Sequence, residues 1–464
     1  MPGITREAVQ AWLPRIALIL AFGGCLTSTW LLLVDTNIWL AVFCTLFALR
    51  YVRLFGHLIG YWCYRPPPVN PDPSFTRKDV TVILPTIDPN GPDFQECIRS
   101  ILTNGVASII VITVGAELKA ECRRVLGALV PEAGETSLRV SAIAKPSKRR
   151  QINHAMPHIT TAITILADDH VFFPTPNFIP AVLAPFDNKK VGVVATKKRV
   201  RRTTPGKWTW HSIVNFIACN YLERHNWELR ASNAIDGGVF VVSGRTAVYR
   251  TDLLADRELL HGFCEEKFFF GRFELNPDDD NYLTRNTLEK GWLIRFQDTE
   301  DATIETTLGE WPKINGQLLR WARTTFRSNP IMLRNPDFLY RYTWSAFQVY
   351  LAGMLNFAAL WDALLIFTLV RASQAASTFS AAVVVFLVLW IIATKAIKLI
   401  PHFYRHPADV GLFVFQVLFA YVHSFFKLWA LVTFWDCGWS GRNLDDVNVD
   451  ENDNDVTAFE VVAV

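Results

Sequence analysis

Three stretches of this chain gather residue types that can do chemistry together. ADDHVFFP (167–174) sets Asp168 and Asp169 side by side at the end of the apolar run ITILA, with His170 following. Two like charges at a buried edge raise one another's pKa unless a cation lies between them. Hard oxygen ligands of this kind suit Mg2+ or Mn2+, which commonly bind through one or two carboxylates plus substrate phosphates; an exposed Asp-Asp loop is the plainer alternative. NPDDDNYLTRN (276–286) offers Asp278, Asp279 and Asp280 ahead of a helical pattern. Carboxylates there either complement the helix dipole or supply a base that takes the proton of an attacking hydroxyl. QLLRWARTTFR (317–327) sets Gln317, Arg320 and Trp321 at i, i+3 and i+4, on one side of a helix. That face suits the wall of an active site, and it equally suits a helix lying on a membrane with Trp and Arg at the interface.

Basic residues cluster nearby. KPSKRRQINHAM (145–156) crowds Lys145, Lys148, Arg149 and Arg150 before a helix, cations fit to hold a diphosphate. The denser run TKKRVRRTTPGK (196–207) reads as a solvated loop or a contact with anionic headgroups. Asp88 leaves an apolar strand in LPTIDPN, where Asp before Pro is also a common turn former.

Short runs rich in Val and Ile must position these groups: VTVILPT (80–86), SIIVITV (108–114), ITILA (163–167) and VGVVAT (191–196). Helical patterns in DFQECIRSILTNG and ELKAECRRVLGALV separate the first of them, so the spacing predicts a doubly wound, mostly parallel α/β sheet with ligands beyond the strands' carboxyl ends. Apolar segments at 16–34, 38–63, 343–371, 379–400 and 410–434 are long enough to cross a bilayer. Arg50, Arg53, Arg65, Arg77 and Lys78 then place the middle of the chain in the cytosol by the positive-inside rule. Five full spans would put the C-terminal end on the far side, unless 343–371 is partly interfacial or a further crossing exists. The layout expected is two membrane helices (1–63), a Pro-rich linker (64–79), a catalytic domain (80–310), interfacial helices (311–342), further membrane helices (343–435) and an acidic tail (436–464).

Composition agrees. With 51% hydrophobic residues and a mean hydropathy of +0.20, the chain is too apolar for an ordinary soluble enzyme. A net charge of +3 gives no global field for nucleic acid. Eight cysteines without a CxxC pair argue against zinc modules and against a disulfide framework.

Taken in order, an acidic strand end, an acidic triplet, QxxRW and closing apolar spans resemble the membrane-embedded family 2 glycosyltransferases, which include hyaluronan, cellulose and chitin synthases, and within them the fungal type 2 branch. The resemblance runs from the leading apolar segments to GWSGRN (438–443). It implies a GT-A-like cytosolic domain in a multi-pass plasma-membrane protein. It also implies inverting transfer from a UDP-sugar to a growing polysaccharide with Mn2+ or Mg2+, coupled to export, with membrane lipids and no nucleic acid as partners. Residue by residue, DDHVFFP is similar to the metal-binding element, making Asp169 the metal ligand with Asp168 beside it. PDDDNYLT selects Asp280 as general base and Asp279 as its support. KPSKRRQINHA makes Lys148 a diphosphate or uridine contact, with Asp88 also toward the nucleotide. SGRTAVYR (243–250) resembles the acceptor-side loop, bringing in Ser243 and Gly244. QLLRW implies Arg320 on the diphosphate, Gln317 in the same pocket and Trp321 near the acceptor sugar. Two departures stand out: Ala167 occupies the place of the usual first Asp, and VITVGAE replaces the acidic strand end that contacts uracil. Two other classes remain open, a nonprocessive transferase with a lipid-linked acceptor and a transporter or scaffold with an inactive transferase domain.

Overall fold

The computed structural model describes residues 6–377, 380–438 and 457–463, with side chains from residue 20 onward. The acidic run 445–455 and GWSGRN beyond Gly438 lie outside the described residues. The chain divides into two compact units: the N-terminal helices up to Leu58 with Asn356–Ile397, and Ile59–Leu355 with the segment from Lys398 onward.

The second unit is built on a sheet. Its first strands are β1 (Val80–Pro85), β2 (Ser108–Val114), β3 (Ser137–Ile143), β4 (Ile163–Ala167), β5 (Val171–Phe172), β6 (Val191–Val200) and β7 (Thr246–Arg250). A small separate hairpin, β8 (Lys267–Phe268) and β9 (Phe273–Glu274), precedes β10 (Leu293–Gln297), β11 (Thr303–Thr306) and β12 (Glu460–Ala463). The order is β12-β3-β2-β1-β4-β7-β6-β11-β5, with β10 also paired to β6. Pairing is parallel from β3 through β4 and around β6, but β7 runs antiparallel to both β4 and β6, and β12 antiparallel to β3. The sheet is therefore mixed. All six residues of β1 are buried, as expected for a strand covered on both faces.

Helix α3 (Pro92–Leu102) starts at Gly91 with Pro92 in its first turn and turns Phe94, Cys97, Ile98, Ile101 and Leu102 into the core. Helix α4 (Gly115–Ala133) buries Cys122, Val125, Leu126 and Leu129 in the same layer. The chain then crosses from β3 back to β4 on the other side of β1. In an α/β sheet that reversal opens a crevice beyond the strand ends.

In the first unit, α1 (Arg6–Leu33), most of α2 (Ile38–Cys63) and two C-terminal helices are strongly apolar. Among its described residues, the buried acid Asp362 is paired with Lys395 at 2.5 Å and Arg50 at 3.4 Å. Among the described residues of the whole chain, four helical segments are long and apolar enough to cross a membrane: Ile38–Cys63, Ala358–Ala375, Ala381–Arg405 and Pro407–Leu431.

Several expectations change. The apolar run 343–371 is not one helix: a short helix, a π-helical turn over Ala346–Leu351 and a break at Asn356 and Phe357 precede Ala358–Ala375. The basic run 196–207 is no open headgroup patch. Its first half is strand β6, and Lys197, Arg199, Arg201 and Arg202 pair with Asp298, Glu300, Glu96 and the fully buried Asp409. Within the expected tail, Glu460–Ala463 forms an edge strand of the sheet, held by Glu460 to Lys119 at 3.0 Å and to Arg123 at 3.2 Å.

Candidate active site

The ends of β1 and β4 meet at the crevice. Thr86, just past β1, donates its hydroxyl hydrogen to Asp169 Oδ2 at 2.7 Å, while His170 Nδ1 lies 3.0 Å from Asp169 Oδ1. Asp169 is buried; Asp168 is more open. Asp88 has an exposed side chain, and its N–H donates to Thr86 Oγ1 at 3.1 Å in the turn that leads to Gly91. It thus lies in a turn at the rim of the crevice.

Helix α5 (Lys148–Ala155) begins with the basic cluster, capped by Ser147. Lys148 Nζ reaches Asp168 Oδ1 at 2.7 Å, Asp279 Oδ2 at 3.2 Å and the Gly244 carbonyl at 2.8 Å. An ammonium has three donors, and each has an acceptor here. Burial works against this charge, but Asp168 and Asp279 outweigh it and hold Lys148 above the ordinary lysine value. Arg149 is fully buried and does not face a ligand: it donates to the carbonyls of Phe263, Asn276 and Pro277 and pairs with Glu266 at 2.8 Å. It thus fixes the segment leading into the acidic triplet. Lys145 and Arg150 are exposed.

Helix α6 (Trp210–Asp236) runs behind the site, and helix α7 (Asp279–Glu289) opens on the triplet. Asp278 sits before it with φ of 65°, a left-handed conformation that Asp tolerates better than most side chains. It is buried, accepts two bonds from Arg327 at 2.8 and 3.0 Å and one from Thr324. Asp279 is driven up by burial but more strongly down by Lys148 and Arg149, and stays ionised. Asp280 behaves oppositely. Burial, then the charges of Asp279 and Asp278, push its carboxyl up to about 6. Its Oδ2 accepts the Gly244 N–H at 3.2 Å, and its Oδ1 accepts from Asn281 at 2.9 and 3.0 Å. Gly244 is crowded between these groups: a Cβ there would lie 3.3 Å from Lys148 Nζ and 3.4 Å from Asp279 Oδ2. Neighbouring Ser243 is buried and accepts the Arg245 N–H at 3.3 Å.

Helix α8 (Lys313–Leu333) carries Gln317, Arg320 and Trp321, all half-buried. Trp321 stacks on Tyr221 of α6 with ring centroids 5.3 Å apart, and Arg245 lies over its ring at 5.2 Å. Seven residues after Arg320, Arg327 ties the same helix to Asp278. The expected residues Lys148, Asp168, Asp279, Asp280 and Gly244 thus form one connected network, with Asp169 next to Asp168 in the chain. Trp321 joins them through Arg245, whose charge bears on both Asp168 and Asp280. Sequence reasoning missed Thr86, Arg327 and the role of Arg245, and it read Arg149 as a diphosphate cation where the side chain instead binds Phe263, Asn276, Pro277 and Glu266. Only Arg327 carried a legible signal, its helical spacing from Arg320.

Among the described residues no group of three or more His, Cys, Asp and Glu side chains gathers to hold a metal unaided. The donor set still fits a hard divalent ion completed by substrate phosphates. Asp168 and Asp169 offer adjacent carboxylates at the crevice, and each carboxylate keeps lone pairs beyond the bonds it already accepts.

The model of the glycosyltransferase-like family 2 matches residues 78–324, more than half of the chain. A type 2 glycosyltransferase of Zymoseptoria tritici is 36% identical over 409 residues, covering 87% of this chain and 84% of that protein. One from Gibberella zeae is 34% identical over 417 residues, covering 89% of this chain and 78% of that protein. Among solved structures, a mannosyltransferase from Pyrobaculum calidifontis in complex with GDP-Man and Mn2+ aligns over 83% of this chain and 99% of its own, at 17% identity and a TM-score of 0.49. With its mixed, mostly parallel GT-A-like sheet and the acidic network at the crevice, the chain belongs to glycosyltransferase family 2.

Proposed function

We propose that this enzyme transfers a sugar from a UDP-sugar to the end of a growing polysaccharide, with inversion and in a processive manner. The observation that carries this reading is Asp280. Its carboxylate is held by Gly244 and Asn281, is pushed up to about 6, and lies in the same network as the carboxylates at the end of β4. A base tuned close to working pH takes a proton well and is still ionised. Asp280 receives the proton of the acceptor hydroxyl as that oxygen bonds to the anomeric carbon and the bond to the diphosphate breaks. A single displacement of this kind inverts the centre.

Lys148 keeps Asp168 and Asp279 from repelling one another and so fixes the spacing between the donor and acceptor halves of the site. Asp168 and Asp169 would hold Mn2+ or Mg2+, which when bound supplies Lewis-acid stabilisation of the leaving diphosphate. Arg320 adds positive charge for the same group. Trp321, braced by Tyr221, offers an apolar ring face to a sugar of the acceptor.

Coupling to export is supported by the packing of α8. Its Arg323 donates to Thr433 at 3.2 Å and pairs with Asp436 at 2.7 Å, and Arg327 donates to the carbonyls of Phe434 and Asp436. All these partners follow directly on the apolar segment Pro407–Leu431, so the helix that carries QxxRW is fastened to a candidate membrane segment. We place the catalytic domain in the cytosol, at the plasma membrane. The C-terminal strand β12 pairs with β3, which favours a C-terminus on the same side as the catalytic domain and an even number of crossings after it. Ala358–Ala375 and Ala381–Arg405 would supply two, with Pro407–Leu431 lying along the membrane face.

Sizing of the product made by purified protein in detergent tests the processive reading. Long chains formed early, while most acceptor is still unextended, are expected. A single sugar added to a lipid-linked acceptor would overturn processivity and leave transfer intact.

A further inference from the structure

Arg245 stands apart from the other basic residues of the site. Its backbone is built in: its carbonyl accepts the Asp168 N–H at 2.9 Å, and it directly follows Gly244, which holds Asp280. Its side chain is not. Arg149 and Arg327 satisfy carbonyls and carboxylates, and Lys148 binds three acceptors. Among the described residues the Arg245 guanidinium makes no hydrogen bond or ion pair, and its Nε is buried without a partner. Its contact is the face of Trp321, 5.2 Å from the ring centroid.

The surroundings add positive charge. Burial, then the nearby Arg245, lowers Lys198 to about 7; Lys198 is itself fully buried, with Nζ 2.8 Å from His225 Nδ1. Arg320 also bears on Arg245, while Asp168 and Asp280 offset part of the charge without reaching ion-pair distance. The Arg245 side chain is half-buried, and a buried donor such as its Nε, left without a partner, is costly. A pairing group supplied by a bound molecule removes that cost, and the planar fork of an arginine matches phosphate or carboxylate with two parallel bonds.

We propose that Arg245, resting on Trp321, binds an oxyanion of the substrates at the reacting centre. This rests on the transferase reading given above. The oxyanion has two sources, the β-phosphate of the donor or an acidic substituent on the terminal sugar of the acceptor.

The test compares full-length wild type with Arg245→Ala, Arg245→Gln and Arg245→Lys in detergent. Calorimetry measures UDP and UMP binding, and initial rates are taken with primers ending in a carboxylated sugar or its neutral counterpart. If the β-phosphate is the ligand, Arg245→Ala weakens UDP by about 10-fold or more, as loss of a charge-assisted pair implies, and leaves UMP unchanged. If the ligand is on the acceptor, UDP affinity holds while KM for the carboxylated primer rises by about 10-fold and the neutral primer is unaffected. Arg245→Lys should recover part of either loss, which a merely structural contact with Trp321 would not produce. Should Arg245→Ala not fold, the same comparison is made with Arg245→Gln. Variants that match wild type in every readout overturn the assignment alone. Wild type that binds no UDP contradicts the transferase reading and takes the assignment with it.

Discussion

Asp280 carries two opposed demands. Its raised carboxyl pKa of about 6 means that the rate should rise with pH through about 6 and level off above it, which a pH profile of kcat/KM will show. Asp280→Asn should lower kcat by about 100-fold or more with UDP binding little changed. The effect on stability has the reverse sign. A carboxyl raised by folding contributes stability that is fully present below its ordinary value and lost as pH rises through about 6. Asp280→Asn should therefore melt higher than wild type at pH 8, by about 2 °C or more since 1 kcal/mol moves a domain this size by roughly 2–4 °C, and the gap should close below pH 6. Asp168, Asp169, Asp279 and Asp280 were legible because adjacent carboxylates stand out in a sequence. Thr86 and the structural role of Arg149 were not, because their partners are distant in the chain: Thr86 reaches Asp169, and Arg149 reaches Phe263 and Pro277.

Among the elements, α8 and α7 are joined by Asp278 and Arg327, both almost completely buried. Breaking a buried pair from one side leaves an uncompensated charge and costs about 3–5 kcal/mol. Arg327→Ala should accordingly lower the melting temperature sharply and cut activity, whereas Arg327→Met with Asp278→Asn together should recover much of the stability. In the apolar unit Asp362 neutralises both Arg50 and Lys395. Asp362→Ala should reduce the yield of folded protein in detergent, because both cations lose this carboxylate in a setting where charge is expensive. Asp362→Asn should do so less. The long apolar strands β1, β2 and β4 were readable from composition. Strand β3 was not, since Arg139 and two serines dilute its pattern, nor β12, which is four residues long and gains its order by pairing with a distant edge. The break within 343–371 was hidden as well, because hydropathy does not register a π-helical turn.

At the scale of the whole molecule, the pairing of β12 with β3 ties the C-terminus to the catalytic sheet. A protease-cleavable epitope placed after Val464 should be accessible from the same side as one inserted at the exposed Lys189–Lys190 turn; protection of one with cleavage of the other in sealed vesicles would contradict the even number of crossings. Transfer itself bears most on the proposed function. The most direct measurement is UDP release by purified full-length protein with Mn2+ across a panel of UDP-sugars, wild type beside Asp280→Asn. Release with one sugar, lost in the variant while UDP still binds, is the expected result. Release at the wild-type rate by Asp280→Asn would contradict the role given to this carboxylate and, with it, the mechanism built on it.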